Sequence, residues 1–114
     1  MASAAPGVLQ WDVTTRLPLR EGSVDCIVSD LPFGKRCGKP GHRNRLYTRL
    51  GREAARVLRV GGRAAFLCCA RNAAGMFVQG GKGRLELVST REITYELIVQ
   101  LVVLRRVEGG AALG

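Results

Sequence analysis

The segment Val24-Asp25-Cys26-Ile27-Val28-Ser29-Asp30 constrains the fold of this chain more than any other stretch. Its centre is almost continuously apolar, the pattern of a parallel strand covered on both faces. After a glycine-rich interval, Asn44 offers an N-cap. From there Leu46, Tyr47, Leu50, Ala54, Val57 and Leu58 fall on one helical stripe, with Arg45, Arg49, Arg52, Glu53, Arg56 and Arg59 opposite. Gly61-Gly62 is the expected stop for that helix. Arg63-Ala64-Ala65-Phe66-Leu67-Cys68-Cys69 is then a second buried strand. Strand, amphipathic helix and strand make a βαβ unit, whose crossover is almost always right-handed. The chain is therefore α/β.

The flanks are less regular. Val8 to Asp12 reads as a short strand closing on an acid. Arg16-Leu17-Pro18-Leu19 is a loop, because Pro18 pushes the residue before it away from helix, and Glu21-Gly22-Ser23 is a turn. Residues 34–43, rich in glycine and cations, are expected to be irregular. Gly75 to Gly83 is an irregular or short helical connection. Leu85 to Arg106, rich in Val, Ile, Leu and Thr, fits two strands or one strand and a helix. A chain of 114 residues holds one domain at most. The expected organisation is a disordered segment over 1–7, a domain over 8–106 and a flexible tail over 107–114.

Charge points to the kind of partner. Eighteen Lys and Arg against nine acids give a formal charge of +9, and fifteen of the eighteen cations are arginines. Their planar forks meet phosphate oxygens in pairs and stack on bases, so the bias is towards polyanions; a solvated arginine-rich surface is the simpler alternative. The four cysteines form no Cys-x-x-Cys pair, and Cys68 and Cys69 are adjacent, which suits neither a disulfide framework nor a zinc site. Three of them sit in apolar runs, where cysteine acts as a small buried hydrophobe. A reducing compartment follows, cytoplasm or nucleus, with no metal site. The first residues lack the cationic start and apolar core of a signal peptide. No apolar run approaches the ~20 residues of a membrane helix.

The chemistry is concentrated where the first strand of the βαβ unit ends, at Asp30-Leu31-Pro32-Phe33-Gly34. In an open parallel sheet, ligands sit outside the carboxyl ends of the strands. The exocyclic amine of a nucleobase is a poor nucleophile, since its lone pair is shared with the ring. A carboxylate and a backbone carbonyl that accept its two hydrogens draw the lone pair out. Asp30 can be the first acceptor and the Leu31 carbonyl the second. Pro32 fixes the turn, Phe33 offers a stacking face for a flipped-out base, and Gly34 lets the backbone pass close to the ligand. The alternative is a polar strand end entering a turn, with Phe33 folded back into the core.

Asp-Leu-Pro-Phe-Gly-Lys-Arg, the cationic glycine-rich loop, Leu46-Tyr47 and Arg-Val-Leu-Arg-Val-Gly-Gly-Arg together resemble the catalytic domain of the THUMP-domain-containing RNA guanosine N2-methyltransferases. Upstream, Leu9-Gln10-Trp11-Asp12-Val13-Thr14 and Leu17-Pro18-Leu19 resemble that family's third strand and the loop after it. The resemblance covers residues 8 to about 70. It implies a partial Rossmann-like class I methyltransferase sheet that begins near the third strand. Asp30, Leu31, Pro32 and Phe33 match the family's catalytic Asp-x-Pro-aromatic loop. Asp12 matches the acid near the adenine of S-adenosylmethionine, with capping of the following turn as its other role, and Asp30 also lies on the cofactor side. Lys35, Arg36, Lys39, Arg43 and Arg45 would line the RNA side, whereas Arg52, Arg56 and Arg59 are expected on a solvated helix face. The implied substrate is transfer RNA or small nuclear RNA. A small zinc-containing activator subunit is the implied partner.

The departures matter as much. No glycine-rich loop follows a strand anywhere in the sequence, and Gly80-Gly81-Lys82-Gly83 lacks a strand before it. The expectation is the C-terminal portion of a transfer RNA guanine-N2-methyltransferase type of enzyme, truncated and inactive alone. A non-catalytic RNA- or partner-binding form, or an amino-methyltransferase acting on adenine, are the alternatives. In this family's sheet, strands one and two lie between the third and the fourth, so the Val24–Asp30 strand is expected to present an open apolar edge.

Overall fold

A computed structural model describes residues 15–30, 40–68, 72–94 and 98–109. The elements are β1 (Val24–Asp30), α1 (Pro40–Val57), β2 (Leu58–Cys68), α2 (Ala73–Gly81), β3 (Leu85–Thr94) and β4 (Ile98–Arg106). They build one four-stranded sheet in the order β1-β2-β4-β3. β1 and β2 run parallel, as a strand–helix–strand unit requires, and register Ile27 with Ala64 and Asp30 with Leu67. β4 lies antiparallel to both β2 and β3. The two-strand reading of residues 85–106 is the one that forms, and residues 75–83 are mostly the short helix α2.

Two boundaries differ from the sequence expectation. α1 starts at Pro40 rather than Asn44. Proline is well suited to the first helical position, where its missing N–H has no partner to lose. α1 also ends at Val57, before the glycine pair. Gly61 and Gly62 instead fall inside β2, where the register with β1 slips between Val24 and Cys26. Gly61 takes φ +88°, a conformation that side chains disfavour, and so absorbs the slip.

Both helices cover the same face of the sheet. Phe77 of α2 is fully buried and stacks on Phe66 of β2 at 4.7 Å between ring centroids, while Tyr47 of α1 meets it at 5.3 Å and 57°. Such pairs add about 0.5–1.5 kcal/mol to the burial of each ring. Leu50, Ala54, Leu58, Ala64, Cys68, Val102 and Leu104 complete the core. The two helices pack at very short range: a Cβ on Gly51 would lie 2.1 Å from the Phe77 carbonyl oxygen.

The opposite face has no helix among the described residues. Val28 is 79% exposed, and Cys26 is exposed as well. The expectation of a strand covered on both faces therefore fails for β1, because among the described residues it has a neighbour on one edge only and packed side chains on one face only. The same geometry corrects the buried reading of Cys26, whereas Cys68, on the helix-covered face of β2, is buried.

Candidate active site

Asp30 is the last residue of β1, exposed, and aligned with Leu67 at the carboxyl end of the parallel pair. Alternation along the strand puts it on the side opposite α1 and α2, with Val28. Leu31, Pro32, Phe33, Lys35, Arg36 and Lys39 lie outside the described residues, as do Asp12 and the Val8–Asp12 strand. Arg43 falls in the first turn of α1. Arg45 is exposed and belongs to a cleft between α1 and α2, with Arg49, Arg52 and Lys82.

The segment leading into β1 is held by a clamp that the periodicity of α1 does not reveal. Glu53, 5% exposed, accepts a hydrogen bond from the Leu17 N–H at 2.5 Å. Arg56 pairs with Glu53 at 3.0 Å, donates to the Leu17 carbonyl at 2.6 Å and to the Leu19 carbonyl at 2.7 Å. The Gly22 N–H donates to the Arg56 carbonyl at 2.9 Å. Burial pushes the Glu53 carboxyl up. The hydrogen bonds from Arg56 and Leu17 and the charges of Arg56 and Arg16 outweigh it, so the group sits below its usual carboxylate range. Arg56 is thus no solvated cation. Arg59 is tied at 2.8 Å to Asp25 of β1. The available signal is an acid followed directly by Ala54 and Ala55, which lie on the buried side of the helix.

Arg106 supplies a second internal tie. It is 9% exposed, and its Nε donates to the Ala55 carbonyl at 2.6 Å, joining the end of β4 to α1. Burial lowers its affinity for the proton. Among the described residues no group of three or more His, Cys, Asp or Glu is placed to hold a metal ion, and no helix is long and apolar enough to cross a membrane.

A parallel pair with an exposed acid at its carboxyl end, helices on one face and an antiparallel pair on the far side make a Rossmann-like α/β sheet. The chain belongs to the UPF0020 family, the RMKL-like methyltransferase domain, whose pattern matches residues 6–95. Over 74 residues it is 49% identical to the tRNA (guanine(6)-N(2))-methyltransferase THUMP3 of Bos taurus, covering 60% of this chain and 14% of that relative. It thus spans about one seventh of the length of that protein. The fold matches TrmN of Thermus thermophilus with a TM-score of 0.64 at 25% identity, covering 87% of this chain and 28% of the other. It also matches a SAM-dependent methyltransferase of Methanosarcina mazei with a TM-score of 0.63 at 10% identity, covering 85% and 65%.

S-adenosylmethionine, the donor in such folds, finds no cradle among the described residues. Gly80 and Gly81 close α2 and are buried against Thr48 and Leu85, and Gly83 leads into β3. None of them follows a strand.

Proposed function

We propose that this chain is the base-holding portion of an S-adenosylmethionine-dependent methyltransferase that modifies the exocyclic amine of guanine in RNA, transfer RNA in the first instance. One observation carries the reading: an exposed Asp30 stands at the carboxyl end of β1, followed in sequence by Leu-Pro-Phe-Gly. The roles assigned to Asp12, Leu31, Pro32, Phe33, Lys35, Arg36, Lys39, Arg43 and Arg45 belong to this proposal. So do the zinc-containing activator subunit and a cytoplasmic or nuclear location. The similarity to the bovine enzyme over part of its length supports the choice of guanine and RNA.

The chemistry needs two acceptors for the amine hydrogens, so that the nitrogen lone pair leaves the ring plane towards an incoming methyl group. Asp30 supplies the charged one. A hydrogen bond to a charged group is worth about 1.5–3 kcal/mol, and inosine lacks the amine that would donate it. The test is competitive binding of a short RNA loop carrying guanosine or inosine to this chain. Wild type is expected to prefer guanosine about tenfold or more, and Asp30→Ala, which leaves no side-chain acceptor, to lose the preference. Equal binding of both loops to wild type would sink the reading.

A second reading has its own support. The sequence has no glycine-rich loop after a strand, and the chain by itself is then a non-catalytic RNA-binding form. Both readings share the Asp30 end of the sheet and differ in whether methyl transfer occurs on this chain.

A further inference from the structure

We infer that the outer face of α1 and its seam with α2 form a phosphate track that binds the RNA backbone away from the base-holding end of β1. The inference rests on the RNA reading above. Arg45, Arg49 and Arg52 recur at intervals of four and three residues, which sets them one above another on the helix, about 5.4 Å per turn. Two clefts of about 340 Å³ each adjoin along this line and share Arg49 and Arg52. One is completed by Arg45 and Lys82, the other by Arg16 and Arg84 beside the Glu53–Arg56 pair.

The floor of the first cleft is made by a backbone approach. Gly80 of α2 lies so close to Thr48 of α1 that neither side chain nor solvent separates the helices there. The notch is thereby walled by arginines on one side and by Lys82 on the other. Lys82 is held at the end of α2 in a left-handed conformation, φ 50°, with its N–H donating to Gln79. Glu53 is the single acid among the residues lining the two clefts, and Arg56 already neutralises it at 3.0 Å. Arg84 reaches the exposed Glu21 only at 3.7 Å.

An elongated, open, arginine-walled track suits a linear polyanion better than a single small anion, which would call for one enclosed site. Arginine forks match phosphate oxygens in pairs, and phosphate contacts position a strand without reading its sequence. A nucleic acid backbone therefore fits better than an acidic protein surface.

The test uses a fluorescent oligouridylate, which has no guanine, and follows anisotropy against salt with the whole chain. Arg49→Gln with Arg52→Gln should weaken binding about tenfold at low salt. It should also lower the slope of log K against log salt by about 1.4, at about 0.7 per lost single-strand phosphate contact. Arg49→Lys with Arg52→Lys should keep the slope. Unchanged oligouridylate binding in the double glutamine variant, at the melting temperature of wild type, would overturn the proposal. Loss of polyglutamate binding without loss of RNA binding would overturn it equally, in favour of a protein-docking face. Loss of guanosine preference with an intact salt effect would leave the track standing and sink the guanine reading alone.

Discussion

Gly80 of α2 and Thr48 of α1 meet backbone to backbone: a Cβ on Gly80 would stand 1.9 Å from the Thr48 carbonyl oxygen. No real Cβ tolerates that distance, and the atom it meets cannot swing aside. Gly80→Ala must therefore push α2 off α1 and loosen the Tyr47–Phe77–Phe66 stack. Overpacking costs about 1–3 kcal/mol and more against backbone. With about 4–8 °C per kcal/mol in a domain of this size, a fall in melting temperature of roughly 10 °C or more is expected. A melting curve followed by circular dichroism checks it, with Gly75→Ala as control, since nothing lies within 4 Å of a Cβ there.

Acid should open the Glu53 clamp. Its carboxyl is held below the usual range in the folded chain, so its contribution is fully present above the unfolded value of about 4.3 and is lost as pH falls through the folded value. Glu53→Gln removes the charge that faces Arg56. The variant should be less stable than wild type at pH 7 by about 2 kcal/mol, and the gap should close as pH falls through the lowered folded value. Urea titrations at pH 7 and at successively lower pH follow the gap as it closes. A difference that stayed constant with pH would show that the Glu53 charge contributes nothing.

Cutting the Arg106 tie should be costly for a different reason. Arg106→Met leaves the buried Ala55 carbonyl without the donor it meets at 2.6 Å, and an unsatisfied buried acceptor costs about 1–3 kcal/mol. Chemical denaturation should report a lower midpoint with an unchanged slope. A midpoint equal to that of wild type would mean that methionine packing offsets the lost bond.

Isothermal calorimetry of the chain with S-adenosylmethionine should show no binding in the micromolar range. The expectation follows from Gly80 and Gly81, which are consumed in helix packing rather than presented to a ligand. Micromolar binding would place a donor site on this chain that its glycines do not account for.

Val28 is an apolar side chain 79% exposed on a strand that has one open edge among the described residues. Edges of this kind invite pairing with other chains. Val28→Lys should leave the melting temperature nearly unchanged, as exposed substitutions do, while reducing light scattering of the concentrated protein. Scattering equal to that of wild type would show that self-association, where present, uses another surface.

The residues of β1, α1 and β2 declared their own pattern. The 3.6-residue stripe of α1 is a local consequence of what that helix must bury, and the parallel pair follows from the connection between β1 and β2. The terminal acid, Asp30, is legible for the same reason: strand length and the proline two residues later place it. What sequence could not decide are matters of who meets whom across the chain. Arg56 and Arg59 look alike on a helical projection, yet Arg56 holds Leu17 and Leu19, distant by more than thirty residues, and Arg59 reaches Asp25. The insertion of β4 between β2 and β3, the exposure of Cys26 and Val28, and the gathering of Arg49, Arg52 and Lys82 along one seam are of that kind too. Burial and charge neighbourhood are sums over non-local contacts, and no window of sequence contains them.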